Sequence, residues 1–465
     1  MRIVLVDLEG KSGLVTKDTV AGGYGSRFVP FSRTTRWYCR VKRTYSLLPS
    51  IQLGYLAAIA ARRGHEVIFT RDAIPDGDVA IVLSSLVDYR RELDWADMAR
   101  SCGLRVGFVG LACSSLPELY RDHADFIVVG EPEAAMERLC SSSSLSGTCV
   151  SPAISDLNAL PLPRWDLLEH WTDLFLHVSM TGLRPKRRFP LLASRSCPEF
   201  CTYCPHRILA EYRARSVSSV IEELQALCDR YRHPFVIFRD PLFTKSSERC
   251  LELCDAILAG GLDLEFECET RLDHLDPVLL RKLRRAGLRA VTFGVESISS
   301  KTLRKVGRRP TSTAQQRVVL DECARLGIRT AAFYVFGFLE DEWDSLAATI
   351  EYAIALGSTV AQFKILTPYP KTPLWKQLAP LVYERDWEKF DGYTPTFRHP
   401  NLKPEELRFL LGVAYARFYA RPSFVKNLFR IEASGLTRLV ERLDETTRRV
   451  HSRQEMTDTP RPVTC

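Results

Sequence analysis

Three cysteines are the residues of this sequence whose spacing most clearly indicates chemistry. Cys197, Cys201 and Cys204 lie within one stretch of eight residues, with spacers of three and then two residues. The apolar run at 191–193 is predicted to be a strand, which places the cysteines on the loop after its end. A [4Fe–4S] cluster takes four ligands, so three cysteines would hold it and leave one iron open. Two alternatives remain at this point: a zinc site with His206 as fourth ligand, and ordinary buried thiols.

The residues around the cysteines carry a family resemblance. The pattern C-x3-C-x2-C, with Tyr203 before the last cysteine, resembles the cluster motif of the radical SAM (S-adenosylmethionine) enzymes. The Ser-Arg pair before the motif and the Cys-Pro pair within it resemble the branch that carries an N-terminal cobalamin-binding domain. That branch usually reads Arg-Gly-Cys-Pro, whereas this chain has Ser196 after Arg195. We do not expect this departure to remove the cluster.

Length, composition and charge limit the class of protein. A chain of 465 residues with 46% hydrophobic content predicts two or three domains with proper cores. Met1 leads directly into an apolar strand, and no apolar run approaches a membrane span, so we expect a soluble, cytoplasmic protein. The 14 cysteines are then expected to be reduced thiols. The net charge of +8 is spread along the chain, which does not favour nucleic-acid binding.

Residues 1–145 alternate strands and helices. Strands are predicted at 3–7, 66–71, 79–83, 105–109 and 126–129, with a helix at 51–63. Continuous apolar strands separated by helices indicate a doubly wound, Rossmann-like parallel sheet. Such a sheet binds ligands at the carboxyl ends of its strands.

Short motifs in this region resemble the cobalamin-binding half of the same branch. They are Gly-Tyr-Leu-Ala at 54–57, Gly-His-Glu-Val at 64–67, Gly-Glu-Pro-Glu at 130–133 and Gly-Gly-Tyr-Gly at 22–25. The resemblance implies a cobalamin-binding domain over 1–145, and we predict cobalamin contacts from Gly23, Gly25, Ser84 and Gly110. The D-x-H-x-x-G motif that supplies a lower axial histidine to cobalt is absent, because Glu9 stands where that histidine would be.

The rest of the chain is predicted to hold a linker, a barrel and a helical region. A serine run at 141–144 is followed by several prolines, and residues 146–190 are expected to be a linker. Residues 191–375 repeat a strand and a helix six times, which predicts a partial (β/α)6 barrel. Residues 376–465 are predicted to be helical at 404–417 and 424–444, with a frayed end.

Polar residues follow three of the predicted barrel strands. Asp240, Arg271 and Glu296 come after the second, third and fourth strands. Their charges suit the carboxylate and ammonium groups of an amino acid ligand, and structural ion pairs among the three are the alternative. The resemblance implies that these residues help to hold SAM and that Tyr203 lies beside the cluster and the adenine.

The resemblance implies a cobalamin-dependent radical SAM C-methyltransferase. It would methylate an unactivated carbon of a small-molecule substrate, by methylcobalamin, with two SAM molecules consumed per turnover. An electron donor such as flavodoxin or ferredoxin is the expected partner. Two alternatives remain: related chemistry without methyl transfer, such as cyclisation, ring contraction or oxidation, and a zinc-bound binding module. A methylthiotransferase acting on RNA is disfavoured, because the further cluster cysteines of that group have no matching pattern here.

Overall fold

A computed structural model describes residues 1–8, 10, 14–17, 24–29, 48–142, 145–168 and 187–422. The first part of the chain forms a six-stranded sheet in which every neighbouring pair is parallel. Its strands are β1 (Arg2–Val6), β4 (Glu66–Thr70), β5 (Val79–Leu83), β6 (Arg105–Val109), β7 (Phe126–Gly130) and β8 (Gly147–Ser151). Their order, β4-β1-β5-β6-β7-β8, reverses at β1. This is the doubly wound topology predicted from the alternating strands and helices.

Helices cover both faces of this first sheet. Alternate β1 residues face opposite sides, since Ile3 and Leu5 belong to one apolar cluster and Val4 and Val6 to another. The helices are α1 (Ile51–Arg62), α2 (Tyr89–Ser101), α3 (Leu111–Ser115) and α4 (Glu133–Ser142). Helices α1 and α4 pack on the face of Ile3 and Leu5, and α2 packs on the other. Burial on both faces explains why the strands read as continuous apolar runs.

The strand β8 was not predicted and lies within the stretch expected to be a linker. It pairs in parallel with β7 at the edge of the sheet. Its sequence, Gly-Thr-Cys-Val-Ser, buries only Ser151. An edge strand with little buried surface has no apolar run to mark it, so periodicity did not reveal it.

A second six-stranded parallel sheet follows the described part of the linker region. Its strands are β9 (Arg188–Leu191), β12 (Phe235–Phe238), β13 (Glu265–Thr270), β14 (Leu288–Glu296), β15 (Arg329–Phe336) and β16 (Val360–Ile365). Neighbours in the sheet are also neighbours in the sequence, as expected for an open, partial barrel. The first strand begins and ends earlier than the predicted 191–193. A short pair, β10 (Ser194–Arg195) with antiparallel β11 (Arg213–Ala214), follows it instead.

The outer helices of the second sheet begin at polar caps. They are α5 (Val217–Arg230), α6 (Ser247–Ala259), α7 (Pro277–Arg285), α8 (Ser300–Lys305), α9 (Thr313–Arg325), α10 (Trp343–Leu356), α11 (Pro373–Leu378) and α12 (Pro404–Tyr419). Ser216, Ser246, Asp276 and Ser312 each accept a backbone N–H in the first turn, which ends the preceding loop at a fixed residue. Helix α12 is two residues longer than predicted. The predicted helix at 424–444 and the frayed end lie outside the described residues.

A small hairpin connects the two sheets. It consists of β2 (Leu14–Thr16) and β3 (Ser26–Phe28). Just before β3, the Tyr24 ring stacks on Tyr369 with centroids 5.1 Å apart. Its hydroxyl donates to the Pro370 carbonyl at 2.6 Å, and lies 2.7 Å from the Ser115 hydroxyl. Within the described ranges, no helix is long and apolar enough to cross a membrane.

Candidate active site at the carboxyl edges of the two sheets

The buried carboxylate of Asp240 holds the residues at the start of the cysteine loop. Asp240, two residues after β12, accepts the Ala193 N–H at 3.0 Å and the Ser194 hydroxyl at 2.5 Å. Burial raises the pKa of Asp240 to about 6, although these hydrogen bonds oppose the rise. Both carboxylate oxygens are therefore engaged by the residues that lead into the loop. In this structure Asp240 shapes the loop, as a positioning residue.

Two later segments hold the middle of the cysteine loop. Thr202 donates its N–H to the Val306 carbonyl at 2.9 Å, and its own carbonyl accepts the Leu374 N–H at 3.0 Å. Gly307 has a φ of 73°, and a Cβ at this position would lie 2.5 Å from the Phe200 carbonyl oxygen. Only glycine fits that approach without movement. The turn after α8 thus supports the loop from one side and the start of α11 from the other.

Ser196 adopts a backbone conformation that explains why the similar family branch usually has glycine at this position. Its φ is 65°, in the left-handed region that favours glycine. Its hydroxyl donates to the His206 carbonyl at 3.0 Å, which ties the two ends of the loop together. The serine therefore offsets part of the backbone cost with a hydrogen bond.

The three predicted cluster cysteines are free thiols on this loop. Burial raises the pKa of the Cys197 thiol, and it raises the pKa of the Cys204 thiol to about 12. The neighbouring cysteine sulfurs add to both of these pKa shifts. Among the described residues, no group of three or more His, Cys, Asp or Glu side chains is arranged to hold a metal ion. Burial also lowers the pKa of His206 to about 4. The loop thus carries three free sulfur atoms within eight residues.

Glu296 and Arg308 lie beside the cysteine loop. The Glu296 carboxylate is 3.7 Å from the Arg308 guanidinium, which also donates to the Gly294 carbonyl at 2.5 Å. Burial raises the pKa of Glu296, and Arg308 opposes that rise. Burial opposes the charge on Arg308, but the neighbouring Tyr203, Glu296 and Cys201 side chains raise its pKa. Glu296 has a φ of 64°, a conformation that non-glycine residues adopt mainly at functional or strained sites.

Arg271 reaches the loop from the end of β13. It makes a bidentate pair with Asp273, with both N–O distances 2.8 Å, and a longer contact of 3.3 Å to Glu199. Glu199 lies between Cys197 and Cys201. Arg271 is also close enough to Glu296 to lower the pKa of that carboxyl. The structure therefore brings Arg271 and Glu296 together at the cysteine loop, while each pairs mainly with other partners.

Tyr203 is partly buried between the loop and the segment after β15. Its ring packs edge to face on Phe338 with centroids 5.7 Å apart. Its hydroxyl has no geometrically acceptable hydrogen-bond partner among the described residues. Burial raises the pKa of Tyr203 well above its usual value, so this hydroxyl stays protonated.

The predicted cobalamin contacts occupy the carboxyl edge of the first sheet. Ser84 directly follows β5 at the point where the strand order reverses, and is fully buried. Its hydroxyl donates to the Val109 carbonyl at 2.8 Å and accepts the Cys113 N–H at 3.1 Å. Gly110, after β6, has a φ of 110° that suits glycine alone. Gly25 packs beside Val87, and Gly23 lies outside the described residues.

A buried ion-pair network joins the first sheet to the cysteine loop. Glu133 contacts Arg195 at 2.6 Å, and Glu131 contacts Arg213 at 2.6 and 2.9 Å. Arg195 also lies 3.5 Å from Glu131 and stacks over the Tyr55 ring at 5.1 Å. Burial favours the neutral carboxyl, but Arg213 and Arg195 outweigh it and lower the pKa of Glu131. The Gly-Glu-Pro-Glu turn after β7 therefore binds the arginine that precedes the cluster motif.

A small cleft, open to solvent, lies beside this network. It is bounded by α1, the Gly-Glu-Pro-Glu turn and the segment around Ser196 and His206. The cleft lies between residues of the two halves of the chain, and none of the described residues predicted to hold the cluster, SAM or cobalamin lines it.

Several residues of the site were missed by sequence reasoning. Arg308 follows no predicted strand, and only the folded chain shows that it contacts Cys201 and Glu296. Asp341 accepts the N–H groups of Gly337 and Phe338 at 2.9 and 3.0 Å, and so fixes the ring that packs on Tyr203. A polar residue shortly after a strand was the available signal for Asp341, as it was for Asp240.

Comparisons with known proteins agree with this architecture. Residues 191–353 match the model of the radical SAM superfamily. An uncharacterized methyltransferase of Pyrococcus horikoshii is 28% identical over 285 residues, which cover 60% of each chain. An anaerobic magnesium-protoporphyrin IX monomethyl ester cyclase of Rubrivivax gelatinosus is 26% identical over 61% of this chain, which spans half of that protein's length. A bacteriochlorophyllide d C-12(1)-methyltransferase of Chlorobaculum tepidum is 22% identical, over 76% of this chain and 78% of its own.

Two solved structures share the fold across most of the chain. One is the radical SAM methyltransferase TsrM of Kitasatospora setae with tryptophan and a SAM analogue bound, with a TM-score of 0.61 at 15% identity over 91% of this chain and 90% of its own. The other is the cobalamin-dependent radical enzyme OxsB with aqua-cobalamin and SAM bound, with a TM-score of 0.64 at 14% identity over 92% of this chain and 70% of its own. Residues 191–353 therefore match the radical SAM superfamily, and the chain shares the two-sheet fold of these two structures over about nine-tenths of its length.

Proposed function

We propose that this protein is a cobalamin-dependent radical SAM methyltransferase that transfers a methyl group to an unactivated carbon of a small molecule. In this proposal Cys197, Cys201 and Cys204 hold a [4Fe–4S] cluster, and each turnover consumes two SAM molecules. The substrate belongs to a biosynthetic pathway, and the protein works in the reducing cytoplasm. Two of the methyltransferase relatives described above support the transfer of a methyl group.

The observation that carries the proposal is the ion-pair network between Glu133, Glu131, Arg195 and Arg213. It fixes the carboxyl edge of the first sheet against the loop that bears the cysteines. Ligands of doubly wound sheets bind at that edge, and ligands of β/α barrels bind at the corresponding edge of the second sheet. A methyl carrier on one edge would thus face a radical generator on the other.

The residues present fit a cluster with an open iron. Three free sulfurs share one loop, and Arg308 beside Cys201 offsets part of the thiolate charge. When bound, the cluster and cobalamin supply one-electron and methyl-transfer chemistry, and the protein supplies binding and orientation.

Arg271 and Glu296 are the groups suited to an amino acid moiety. The longer of the Arg271 contacts, 3.3 Å to Glu199, is the one that a ligand carboxylate would replace most easily. Glu296 would accept an ammonium group, and its 3.7 Å separation from Arg308 leaves it only loosely paired. The partly buried Tyr203 ring would close one side of the site, and its unpartnered hydroxyl is available as a donor.

The carboxyl edge of the first sheet is a suitable place for cobalamin, and one predicted contact, that of Ser84, is revised. Gly110 has a φ of 110° at the carboxyl edge, and its lack of a Cβ would let a bulky flat ligand approach the main chain closely. The Ser84 hydroxyl already has two backbone partners, so it would support the edge without binding the ligand.

A second candidate is radical chemistry without methyl transfer. The similarity to the Rubrivivax cyclase, at 26% identity, is the observation that favours it. The two reactions differ in their products. Methylation forms S-adenosylhomocysteine together with 5′-deoxyadenosine, whereas cyclisation or oxidation forms no stoichiometric S-adenosylhomocysteine.

Anaerobic reconstitution tests the proposal. The protein is loaded with iron, sulfide and hydroxocobalamin, desalted, and assayed for metals and visible absorption. We expect about four irons per chain and retained cobalamin. The triple variant C197A/C201A/C204A should lose the iron, while C250A, at a buried thiol in α6, should keep it. Zinc without iron would refute the radical SAM function, and iron without cobalamin would refute methyl transfer by cobalamin.

A further inference from the structure

An exposed aromatic ring on the cysteine loop lies against a basic side chain. Phe200, between Cys197 and Cys201, is 71% exposed. The Arg207 guanidinium lies 3.8 Å from the centre of its ring. A phenylalanine so exposed gains little from folding, and exposed aromatics are enriched where proteins dock.

Helix α8 supplies most of the charge of this surface. Lys301, Arg304, Lys305 and Arg309 are exposed within nine residues, and α8 contains no acidic residue. Lys305 is paired with Glu340 at 2.6 Å. Lys301 and Arg304 have no ion-pair partner within the part of the chain that the structure describes. We call Phe200, Arg207, Lys301, Arg304 and Arg309 the basic loop surface.

The basic loop surface is attached to the cysteines by direct contacts. Thr202 donates its N–H to the Val306 carbonyl at 2.9 Å. Gly307 lies against the Phe200 carbonyl, so the end of α8 and the cysteine loop pack backbone to backbone. Arg308, one residue before Arg309, lies 3.7 Å from Glu296 beside the cysteine loop. A protein bound to this surface would therefore lie next to the predicted cluster ligands.

We propose that the basic loop surface docks a small acidic electron-carrier protein. The inference rests on the proposed function, because that function requires one electron per radical event. The carrier would lose one electron and the [4Fe–4S]²⁺ cluster would gain it to become [4Fe–4S]⁺, with no atom transferred. Complementary charge would steer the encounter, and Phe200 would provide the apolar centre of a transient interface.

The test compares a protein donor with a small one on the reconstituted, full-length protein. Cluster reduction is followed by absorbance with photoreduced flavodoxin as the acidic carrier, and separately with dithionite. The variants are K301E/R304E and the milder K301Q/R304Q. R281E/R285E, with the same charge change on exposed residues of α7, is the matched control.

We expect flavodoxin to reduce K301E/R304E roughly ten-fold or more slowly than the wild type at low ionic strength, as for loss of electrostatic steering. K301Q/R304Q should be intermediate, and dithionite should reduce all variants at similar rates. Added salt should slow the wild type and hardly affect K301E/R304E. An unchanged flavodoxin rate in both α8 variants, or an equal loss in the α7 control, would overturn the docking surface. A protein that binds no reducible cluster would instead refute the proposed function, so the two failures are distinct.

Discussion

Arg195 and Glu133 form a buried ion pair, with 2.6 Å between guanidinium and carboxylate, although 62 residues separate them in the sequence. Arg195 precedes the cysteine motif, and Glu133 begins α4 on the first sheet. Glu133 is almost fully buried and Arg195 is 8% exposed. The pair therefore links the two halves of the site in a low-dielectric environment.

Removal of one partner of this pair should destabilise the protein strongly. R195M leaves a buried, uncompensated carboxylate, which typically costs about 3–5 kcal/mol. The double variant R195M/E133Q removes both charges and should recover part of that loss. Denaturant unfolding followed by circular dichroism measures both values.

The exposed pair of Arg2 with Glu66 is the control for this cycle. Its side chains are 44% and 58% exposed, so its removal should cost far less. If R195M/E133Q is no more stable than R195M alone, the two charges are not coupled. The link between the sheets would then depend on other contacts.

The sequence predicts the strand ends of both sheets well, because each strand is a local apolar run. Asp240, Arg271 and Glu296 are found where strand counting placed them, next to or just beyond the ends of β12, β13 and β14. The edge strand β8 was missed because its surface is mostly exposed. Burial on both faces, which marks the other strands, is absent there.

The partners of these residues were not predictable, since no local pattern encodes a contact over long sequence distance. Arg271 was expected to face a ligand, yet it is held by Asp273 and Glu199. Arg308 contacts Cys201 because the turn after α8 folds back on the loop. The folded structure reveals this packing through the close approach of Gly307 to the loop. A single glycine in the sequence does not predict such a contact.

Gly307 to alanine should damage the cysteine loop. The substitution adds a Cβ 2.5 Å from the Phe200 carbonyl and forces alanine to a φ of 73°. The backbone strain alone costs about 1–2 kcal/mol, and the clash adds to it. We expect a larger loss of unfolding free energy than this strain alone, together with reduced iron binding.

Gly327 provides the matched control for this variant. Its φ is 66°, but no atom lies within 4 Å of its added Cβ. G327A should therefore show the strain without the clash and should keep its iron. Equal losses of stability and iron in G307A and G327A would mean that the approach to Phe200 does not support the loop.

Ser196 can be compared with glycine and alanine to separate its backbone from its hydroxyl. S196A keeps the left-handed strain and loses the bond to the His206 carbonyl, so it should be about 1 kcal/mol less stable than the wild type. S196G loses the same bond but relieves the strain, and should be about 1 kcal/mol more stable than S196A. Thermal unfolding of the three proteins measures the order. Equal stability of S196A and S196G would show that the φ of 65° carries no cost.

Asp341 should make stability depend on pH. Burial raises its pKa from 3.8 to about 7, so the folded protein holds this proton more tightly than the unfolded chain does. Stability therefore falls as pH rises from about 4 to about 7, by at most about 1.4 kcal/mol per pH unit. One Asp341 oxygen accepts both the Gly337 and Phe338 N–H groups, which an asparagine oxygen can also do. D341N should thus keep the fold and flatten the profile of urea midpoint against pH. An unchanged slope in D341N would assign that dependence to other carboxyls, such as Asp240, whose pKa is also raised, to about 6.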